Sequence, residues 1–204
     1  MNHFWDKKYA SDEYVYGTSP NVFLKQSIDK YLTTGKLLFP GEGEGRNAVY
    51  AAQMGFEVVA CDQSTEGKIK AEKLAAQAGV QIKYHVGNLF DIDCKDDSFD
   101  AVFLIYTHFP SDMRKAIHDK MTELLKPGGL VVMEVFSKNH TRHQQVNPSA
   151  GGPRDIDMLY TKEQILSDFD DFIPLEIEEV ETRLAEGAGH DGLATVIRFV
   201  GRKK

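Results

Sequence analysis

The segment from residue 36 to residue 48 constrains the fold of this chain more than any other. It begins with the short apolar run Lys36-Leu37-Leu38-Phe39, which is typical of a buried strand, and ends in the helix-forming run Arg46-Asn47-Ala48. Between the two runs lie three alternating glycines, Gly41, Gly43 and Gly45. Glycine adopts the backbone angles of a tight strand-to-helix turn and lets a ligand approach the main chain closely. The pattern therefore predicts a βα unit of a parallel sheet with a nucleotide-like ligand at the turn.

The order of apolar runs along the chain predicts alternating strands and helices. Five runs indicate buried strands, at residues 37–39, 56–62, 80–86, 99–106 and 130–136. Segments with helical periodicity lie between these strands: one ends near residue 54, and two others cover residues 65–78 and 111–126. An earlier helix opens at Pro20-Asn21. This alternation predicts the α/β class, as a Rossmann-like three-layer α/β/α sandwich built on a mostly parallel sheet.

The last part of the chain departs from this alternation. Residues 137–160 are polar and without a convincing period, which predicts a substrate-side loop. Thr161-x-x-Gln164 is a capping box that opens a helix through about Phe169. Two further strands, 175–182 and 193–201, are joined by a turn short enough to pair them antiparallel. We therefore predict one domain over residues 1–204, whose seven-stranded sheet ends in an antiparallel C-terminal strand.

Composition and charge exclude several functional classes. The net charge of −7 argues against a nucleic-acid partner, which normally requires a basic surface. No window approaches the roughly 20 apolar residues of a membrane span, and the first twelve residues lack the apolar core of a signal peptide. Cys61 and Cys94 are expected to be reduced thiols, so a cytoplasmic location is the expectation. His140-x-x-His143 has no third ligand at a suggestive spacing, and no metal is expected.

Taken in order, these motifs resemble those of the class I S-adenosylmethionine-dependent methyltransferases. The glycine turn matches the family's first motif, Asp62 ends strand two where the family has its ribose-binding acid, and residues 125–130, LKPGGL, match the signature before strand five. The aromatic residues of segment 4–17 are similar to the amino-terminal lid of the small-molecule branch, which includes tellurite- and thiopurine-type enzymes. The resemblance covers nearly the whole chain. It implies S-adenosyl-L-methionine as cofactor, a small-molecule methyl acceptor, and a lid over residues 1–20.

The resemblance also implies a set of cofactor-binding residues around the glycine turn, the lid and the ends of strands two to four. They are Trp5, Tyr16, Gly41, Glu42, Gly43, Gly45, Arg46, Asn47, Asp62, Gln63, Asn88, Leu89, Phe90, Ile105 and Tyr106. The glycines would contact the methionine part of the cofactor, and Asp62 would accept hydrogen bonds from the ribose hydroxyls. Asn88 would recognise the amino edge of the adenine. The chain departs from the family at Phe39, where an acid is common. The methionine amine would then be held by a carbonyl of the turn or by Glu42.

Several residues keep more than one interpretation at this point. Glu42 and Glu44 are equally consistent with solvated loop charges. Arg46 fits a partner of the cofactor carboxylate, a partner of Glu44, or a surface residue at the start of a helix. Tyr106 and His108, after strand four, are the candidate catalytic residues on the acceptor side. His190, in the last turn, fits either a cap of that turn or a lining of the pocket.

Two other functions compete with methyl transfer. Gly43-x-Gly45-x-x-Ala48, followed by Asp62, satisfies a looser dinucleotide pattern, as in an NAD(P)-dependent oxidoreductase. The antiparallel ending and Lys126-Pro127-Gly128-Gly129 argue against that function. The third candidate is a cofactor-binding protein without catalysis, which fold alone does not exclude. The acceptor atom stays open, and the protein is expected to be a monomer or a homodimer.

Overall fold

The structure, a computed structural model, describes residues 3–204. Met1 and Asn2, the first two residues of the expected lid, lie outside the described residues. The strands are β1 (Lys36–Pro40), β2 (Glu57–Asp62), β3 (Lys83–Val86), β4 (Phe99–Ile105), β5 (Leu125–Phe136), β6 (Phe172–Ala185) and β7 (Asp191–Lys203). The helices are α1 (His3–Tyr9), α2 (Val22–Tyr31), α3 (Arg46–Gln53), α4 (Thr65–Gln77), α5 (Ser111–Leu124), α6 (Thr141–Val146) and α7 (Lys162–Asp168).

The strands form one seven-stranded sheet in the order β3-β2-β1-β4-β5-β7-β6. β1 pairs in parallel with β2 and β4, β2 with β3, and β4 with β5. β7 is antiparallel to both of its neighbours, β5 and β6. This arrangement confirms the α/β fold and the antiparallel ending that the sequence predicts. It also brings the carboxyl ends of β1, β2 and β4 to one edge of the sheet, where the glycine turn lies.

Side chains that alternate along the strands bury two hydrophobic clusters, one on each face of the sheet. In β1, Leu38 belongs to one cluster, whereas Leu37 and Phe39 belong to the other. This is the period of two that a strand covered on both faces requires. Phe39 is fully buried, and its ring stacks on that of Phe103 with 5.1 Å between centroids. The phenylalanine that replaces the family's usual acid is therefore a core residue here and does not face a ligand.

The structure differs from the sequence predictions mainly at element boundaries. β5 begins at Leu125 and includes the Pro127-Gly128-Gly129 segment, which the sequence predicts as a helix end and turn. Phe99 pairs with Leu125 before the register of β4 and β5 shifts, so the strand is irregular there. β6 and β7 are also longer than predicted. The capping box of α7 is confirmed, because Thr161 and Gln164 exchange hydrogen bonds between side chain and backbone.

The loop over residues 137–160 is folded into short helical turns, where the sequence predicts a segment without a period. It contains α6 and 3₁₀ turns at Lys138–His140, Pro148–Ala150 and Ile156–Met158. The 3₁₀ turns begin at Ser137, Asn147 and Asp155, whose side chains accept the N–H group two residues ahead. Such local hydrogen bonds produce short turns without the apolar periodicity of a long helix.

Candidate functional site

The glycine turn adopts the conformation that the sequence predicts. Gly41, Gly43 and Gly45 have φ angles of +67°, +64° and +92°, which side-chain-bearing residues rarely adopt. The N–H groups of Gly41 and Glu42 donate to the carbonyl of Cys61, at 2.8 and 3.2 Å, and so fix the turn against the end of β2. A Cβ atom on Gly45 would lie 2.5 Å from the Cβ of Ala71, so glycine also permits the close packing of α3 on α4.

Asp62 lies beside the glycine turn, as predicted for the acid at the end of β2. One carboxylate oxygen accepts the N–H of Gly43 at 3.0 Å, and the other accepts the N–H of Ser64 at 2.9 Å. Burial raises the pKa of Asp62, while the N–H groups of Ser64 and Gly43 oppose that rise. Gln63 follows at the same edge and is half-buried. A carboxylate offers about four lone-pair positions, so the oxygens of Asp62 can accept further donors beside these backbone N–H groups.

Neither acid of the glycine turn is a solvated loop charge, so that interpretation is wrong for both. Glu44 is only 3% exposed, and its carboxylate lies 2.6 Å from the Nζ of Lys70. Glu42 accepts the N–H groups of Asn47 and Ala48 through Oε1, at 2.9 and 2.8 Å, at the N-terminus of α3. Burial raises the pKa of Glu42 to about 7 in spite of these two bonds. The carboxyl groups of Glu42 and Glu44 are thus held in fixed positions at the site, by hydrogen bonds and an ion pair respectively.

Arg46 pairs with a residue that the sequence does not suggest. Its guanidinium lies 2.7 Å from Oε2 of Glu186, which follows β6, and the side chain is buried. The predicted pair with Glu44 is absent from the ion pairs of the described residues, and the surface position predicted as an alternative is wrong. The next residue, Asn47, accepts the N–H of Asn21 at 2.9 Å. The first turn of α3 is therefore tied to both ends of the chain.

The amino-terminal segment lies across the glycine turn. The N–H groups of Val15 and Tyr16 donate to the carboxylate of Glu44, at 3.2 and 3.3 Å. Tyr9 is buried, and its ring stacks on that of Trp5. Its hydroxyl approaches Gly43 so closely that a Cβ atom on residue 43 would lie 2.7 Å from it. At the far side of the site, Gly189 donates its N–H to the carbonyl of Val15 at 3.1 Å. Segment 3–17 thus connects the glycine turn to the turn between β6 and β7.

The residues predicted to surround an adenine ring occupy the end of β3 in different environments. Leu89 is buried in the core, whereas Asn88 is exposed and Phe90 is 49% exposed. Ile105, at the end of β4, is half-buried and packs against the cluster that contains Phe39. Leu89 belongs to the cluster on one face of the sheet and Ile105 packs against the cluster on the other, whereas Asn88 and Phe90 are exposed.

Tyr106 stands at the end of β4 in a strained conformation. Its φ angle is +53°, an outlier for a bulky residue, and such strain is typical of functional sites. Its hydroxyl donates to Oε1 of Glu134 at 2.6 Å, and its ring stacks on Phe136. Burial raises the pKa of Tyr106 well above its ordinary value, and the charge of Glu134 adds to the rise. The hydroxyl is therefore a hydrogen-bond donor and not an acid at neutral pH.

His108 has no free nitrogen for proton transfer. Nδ1 lies 2.9 Å from the carbonyl oxygen of Met158, and Nε2 accepts the N–H of Phe136 at 3.2 Å. These partners fix the tautomer, with the proton on Nδ1. Burial lowers the pKa of His108 to about 4, so the ring is neutral at pH 7. This geometry corrects the predicted catalytic role, because both nitrogens already hold the loop 137–160 against β5.

A buried polar network behind Tyr106 was not found by sequence reasoning. Glu134, on β5, is 2% exposed and accepts hydrogen bonds from Asn21 at 2.7 Å and Arg198 at 2.6 Å. Asn21 also donates to Oε1 of Glu186 at 3.0 Å, so one amide joins two carboxylates. Burial opposes the ionisation of Glu186, but His190 and Arg46 lower its pKa to about 2. Asn21 thus bridges the carboxyl groups of Glu134 and Glu186.

Two negative findings complete the site. Within residues 3–204, no group of three or more His, Cys, Asp or Glu side chains could hold a metal ion. In the same part of the chain, no helix combines the length and the apolar character needed to cross a membrane. Cys61 and Cys94 are both free thiols.

Comparison with known proteins gives a family match and several similar structures. Residues 38–129 match a family model described as a methyltransferase domain. Comparison with curated protein sequences gives no match. Among solved structures, one that concerns the conversion of a disulfide bond into a thioacetal group during echinomycin biosynthesis has a TM-score of 0.81 at 18% identity. It covers 100% of this chain and 92% of that chain.

Two further structures show the same fold at lower identity. TehB from Haemophilus influenzae has a TM-score of 0.72 at 15% identity, over 100% of this chain and 67% of its own. The [4+2]-cyclase SpnF has a TM-score of 0.73 at 15% identity, over 99% of this chain and 94% of its own. Because a cyclase shares this architecture, the fold alone does not decide the chemistry.

Proposed function

We propose that this chain is a class I S-adenosylmethionine-dependent methyltransferase that methylates a small-molecule acceptor in a site closed by residues 3–17; the methyltransferase-domain match over residues 38–129 supports this. The observation that carries the proposal is the attachment of this segment to the site. Glu44, inside the glycine turn, accepts the N–H groups of Val15 and Tyr16. A nucleic acid or a folded protein would have to displace this cover, which supports a small molecule as the acceptor.

The residues around the glycine turn fit S-adenosylmethionine. When bound, this cofactor supplies a methyl group already activated on a positively charged sulfur. Three carboxylates, those of Glu42, Glu44 and Asp62, lie at the turn, and they suit a ligand with an amine and a sulfonium. We propose that Asp62 holds the ribose hydroxyls, that the main chain of the glycine turn meets the methionine part, and that Glu42 holds the amine. Leu89 and Ile105 would supply apolar contacts, and Asn88 and Phe90 the open edge.

The chain's own contribution to methyl transfer is alignment and the exclusion of water. An in-line displacement needs the nucleophile close to the methyl carbon and opposite the leaving sulfur, and such positioning alone supplies a large part of the rate. Tyr106 is held in one conformation by its strained backbone and by the bond to Glu134. We propose that it forms the wall between cofactor and acceptor, while Trp5 and Tyr16 of the cover keep solvent out.

Charge supports a small acceptor over a macromolecular one. The net charge of −7 opposes binding to phosphate backbones. The cover is also joined to the opposite side of the site, since Gly189 donates to Val15 and Lys70 donates to the carbonyls of Ser11 and Glu13. Each of these contacts would be lost if the segment opened widely for a large substrate.

The proposal is tested by following a labelled methyl group. The protein is incubated with methyl-labelled S-adenosylmethionine and three separate fractions of a cell extract: small molecules, total RNA and total protein. We expect label in the small-molecule fraction alone. Label in RNA or protein would contradict the proposed acceptor class, and the variant Asp62→Ala, with its weakened cofactor site, controls for contaminating enzymes.

A further inference from the structure

His190 is the one imidazole of the site whose hydrogen bonds are incomplete. The side chain is 5% exposed, and its ring lies 4.5 Å from those of Tyr16 and Tyr106 and 5.3 Å from that of Phe136. Its Nδ1 is buried and has no hydrogen-bond partner among residues 3–204. Leaving a buried polar atom unpaired costs about 1–3 kcal/mol. Native proteins keep few such atoms, and each calls for an explanation.

The neighbouring histidines of the loop differ from His190 in this respect. Both nitrogens of His108 are hydrogen-bonded to backbone groups. Those of His140 pair with the carbonyl of Gly151 and the N–H of Thr195. In both rings the two nitrogens are occupied by hydrogen bonds that hold the loop 137–160 in place. Neither nitrogen of His190 is hydrogen-bonded within residues 3–204: Nδ1 faces Glu186, which leaves Nε2 to exchange a proton with a ligand.

Glu186 is placed to orient the His190 ring. Its Oε2 lies 3.6 Å from Nδ1, just beyond hydrogen-bond distance, across the turn between β6 and β7. The carboxylate is itself fixed by Arg46 at 2.7 Å and by Asn21 at 3.0 Å. A fixed carboxylate beside an imidazole stabilises the imidazolium that forms when the ring takes up a proton.

We propose that His190 is the general base of the methyl transfer, that Glu186 is its positioning residue, and that the acceptor is an uncharged molecule with a hydroxyl or thiol group. The inference rests on the proposed function. In the step, the lone pair of the acceptor oxygen or sulfur forms the new bond to the methyl carbon. The bond from that carbon to the cofactor sulfur breaks, and its electron pair stays on the sulfur. The acceptor proton passes to Nε2 of His190 while Nδ1 keeps its own proton toward Glu186, and Nε2 later releases the proton to solvent.

The charges around the site favour an uncharged acceptor. Two carboxylates, Glu134 and Glu186, lie behind the aromatic rings, and the arginines that pair with them, Arg198 and Arg46, are already engaged. The remaining cation that faces these rings is Lys8, which donates to the hydroxyl of Tyr16 at 2.6 Å and whose pKa is lowered by burial, so the site offers an anionic acceptor little compensating charge. An aromatic wall of Tyr16, Tyr106 and Phe136 suits a planar, apolar molecule.

The proposal predicts an acid limb in the pH dependence of the reaction. Titratable and charged groups face His190 from several elements. From the amino-terminal part these are Lys8, Tyr16 and Arg46; from the end of β4 and the loop, Tyr106, His108 and His140; and from the last turn, Glu186. Burial lowers the pKa of His190, and the charge of Glu186 opposes this. The ring is thus neutral at pH 7 and ready to accept a proton. Activity should rise with pH and reach a plateau before neutrality.

The test compares two planar, uncharged acceptors, of which only one must lose a proton from its reacting atom. The oxygen of phenol carries a proton at neutral pH, whereas the nitrogen of pyridine carries none. For His190→Gln we expect kcat/KM with phenol to fall by about 10²–10⁴-fold, the usual contribution of a general base. The value with pyridine should stay within about threefold, since a nitrogen lone pair without a proton needs no base. His85→Asn is the matched control, because His85 also has an unpartnered Nε2 but lies on β3, away from Glu186.

Two readouts separate this proposal from a structural role and from failure of the proposed function. Calorimetric titration with S-adenosylhomocysteine should give the same dissociation constant for wild type and His190→Gln. Histidine NMR should show that Glu186→Gln lowers the pKa of His190, and the acid limb with phenol should move to lower pH in parallel. Equal losses on both acceptors, or an unchanged acid limb in Glu186→Gln, would overturn the proposal. So would a wild type that binds S-adenosylhomocysteine yet methylates neither probe. No binding of S-adenosylhomocysteine would instead overturn the proposed function.

Discussion

The substitution Glu42→Gln tests whether the ionised Glu42 carboxyl, buried in the glycine turn, lowers the free energy of unfolding. Burial raises the pKa of this carboxyl from 4.5 to about 7 in the folded protein. Each pKa unit corresponds to about 1.36 kcal/mol, so a difference of about 2.5 units corresponds to ~3 kcal/mol of lost stability when the group is ionised. Glutamine keeps a carbonyl oxygen that accepts the N–H groups of Asn47 and Ala48, and it removes the ionisation.

The sign of the effect follows from proton binding. Between pH 4.5 and about 7 the folded protein keeps a proton on Glu42 that the unfolded chain has lost. The contribution of Glu42 to the free energy of unfolding therefore falls as pH rises through this window. Below pH 4.5 both states are protonated and the penalty vanishes. Above about pH 7 the penalty is complete, so Glu42→Gln should stabilise the protein there.

The assay is urea unfolding of wild type and variant from pH 4.5 to pH 8. The difference in the free energy of unfolding isolates Glu42, because the buried histidines titrate alike in both proteins. We expect a difference near zero at the acid end that grows to ~3 kcal/mol in favour of the variant at pH 8. A difference that does not change with pH would refute the reasoning about burial.

The same titration links stability to cofactor binding. If Glu42 holds the amine of the cofactor, the positive charge lowers its pKa and a proton is released on binding. The affinity of wild type for S-adenosylhomocysteine should then increase with pH up to about 7, and that of Glu42→Gln should be weaker at pH 8 and independent of pH. The stability gained by the variant would thus be accompanied by weaker ligand binding, as expected at a functional site.

Three further substitutions follow from the site geometry. Asp62→Ala should weaken S-adenosylhomocysteine binding by ~1.5–3 kcal/mol in calorimetry, since a hydrogen bond to a charged group is lost, and an unchanged dissociation constant would contradict its ribose role. Lys70→Met should destabilise the fold by ~3–5 kcal/mol, because it leaves Glu44 buried without its partner at 2.6 Å; urea unfolding measures this, and a loss below ~1 kcal/mol would show that the pair is solvated. Deletion of residues 1–17 should speed the dissociation of S-adenosylhomocysteine in stopped-flow experiments, whereas an unchanged rate would make the segment a structural tail.

The parts of the fold that the sequence predicts are those encoded by neighbouring residues. The glycine turn, the acid at the end of β2 and the capping box of α7 are local patterns, and the structure has all three. Alternating apolar runs also predict the order of strands and helices. Element ends are less certain, because the pairing partner decides where a strand stops. β5 extends back to Leu125 since β4 offers a partner there.

The parts of the site that were missed depend on residues distant in sequence. Glu44 resembles a solvated charge until α4 places Lys70 against it. Arg46 and Glu186 are 140 positions apart, and Asn21 and Glu134 are 113 apart, so no spacing rule relates them. The position of His108 after β4 makes it a candidate base, but only the structure shows that both of its nitrogens are occupied.

The most direct test of the account is calorimetric titration of the purified protein with S-adenosylmethionine, S-adenosylhomocysteine and NAD. We expect micromolar binding of both sulfur nucleotides and no heat with NAD, and we expect Asp62→Ala to bind both sulfur nucleotides more weakly. Binding of NAD alone would contradict it, because the glycine turn and Asp62 would then serve a dinucleotide.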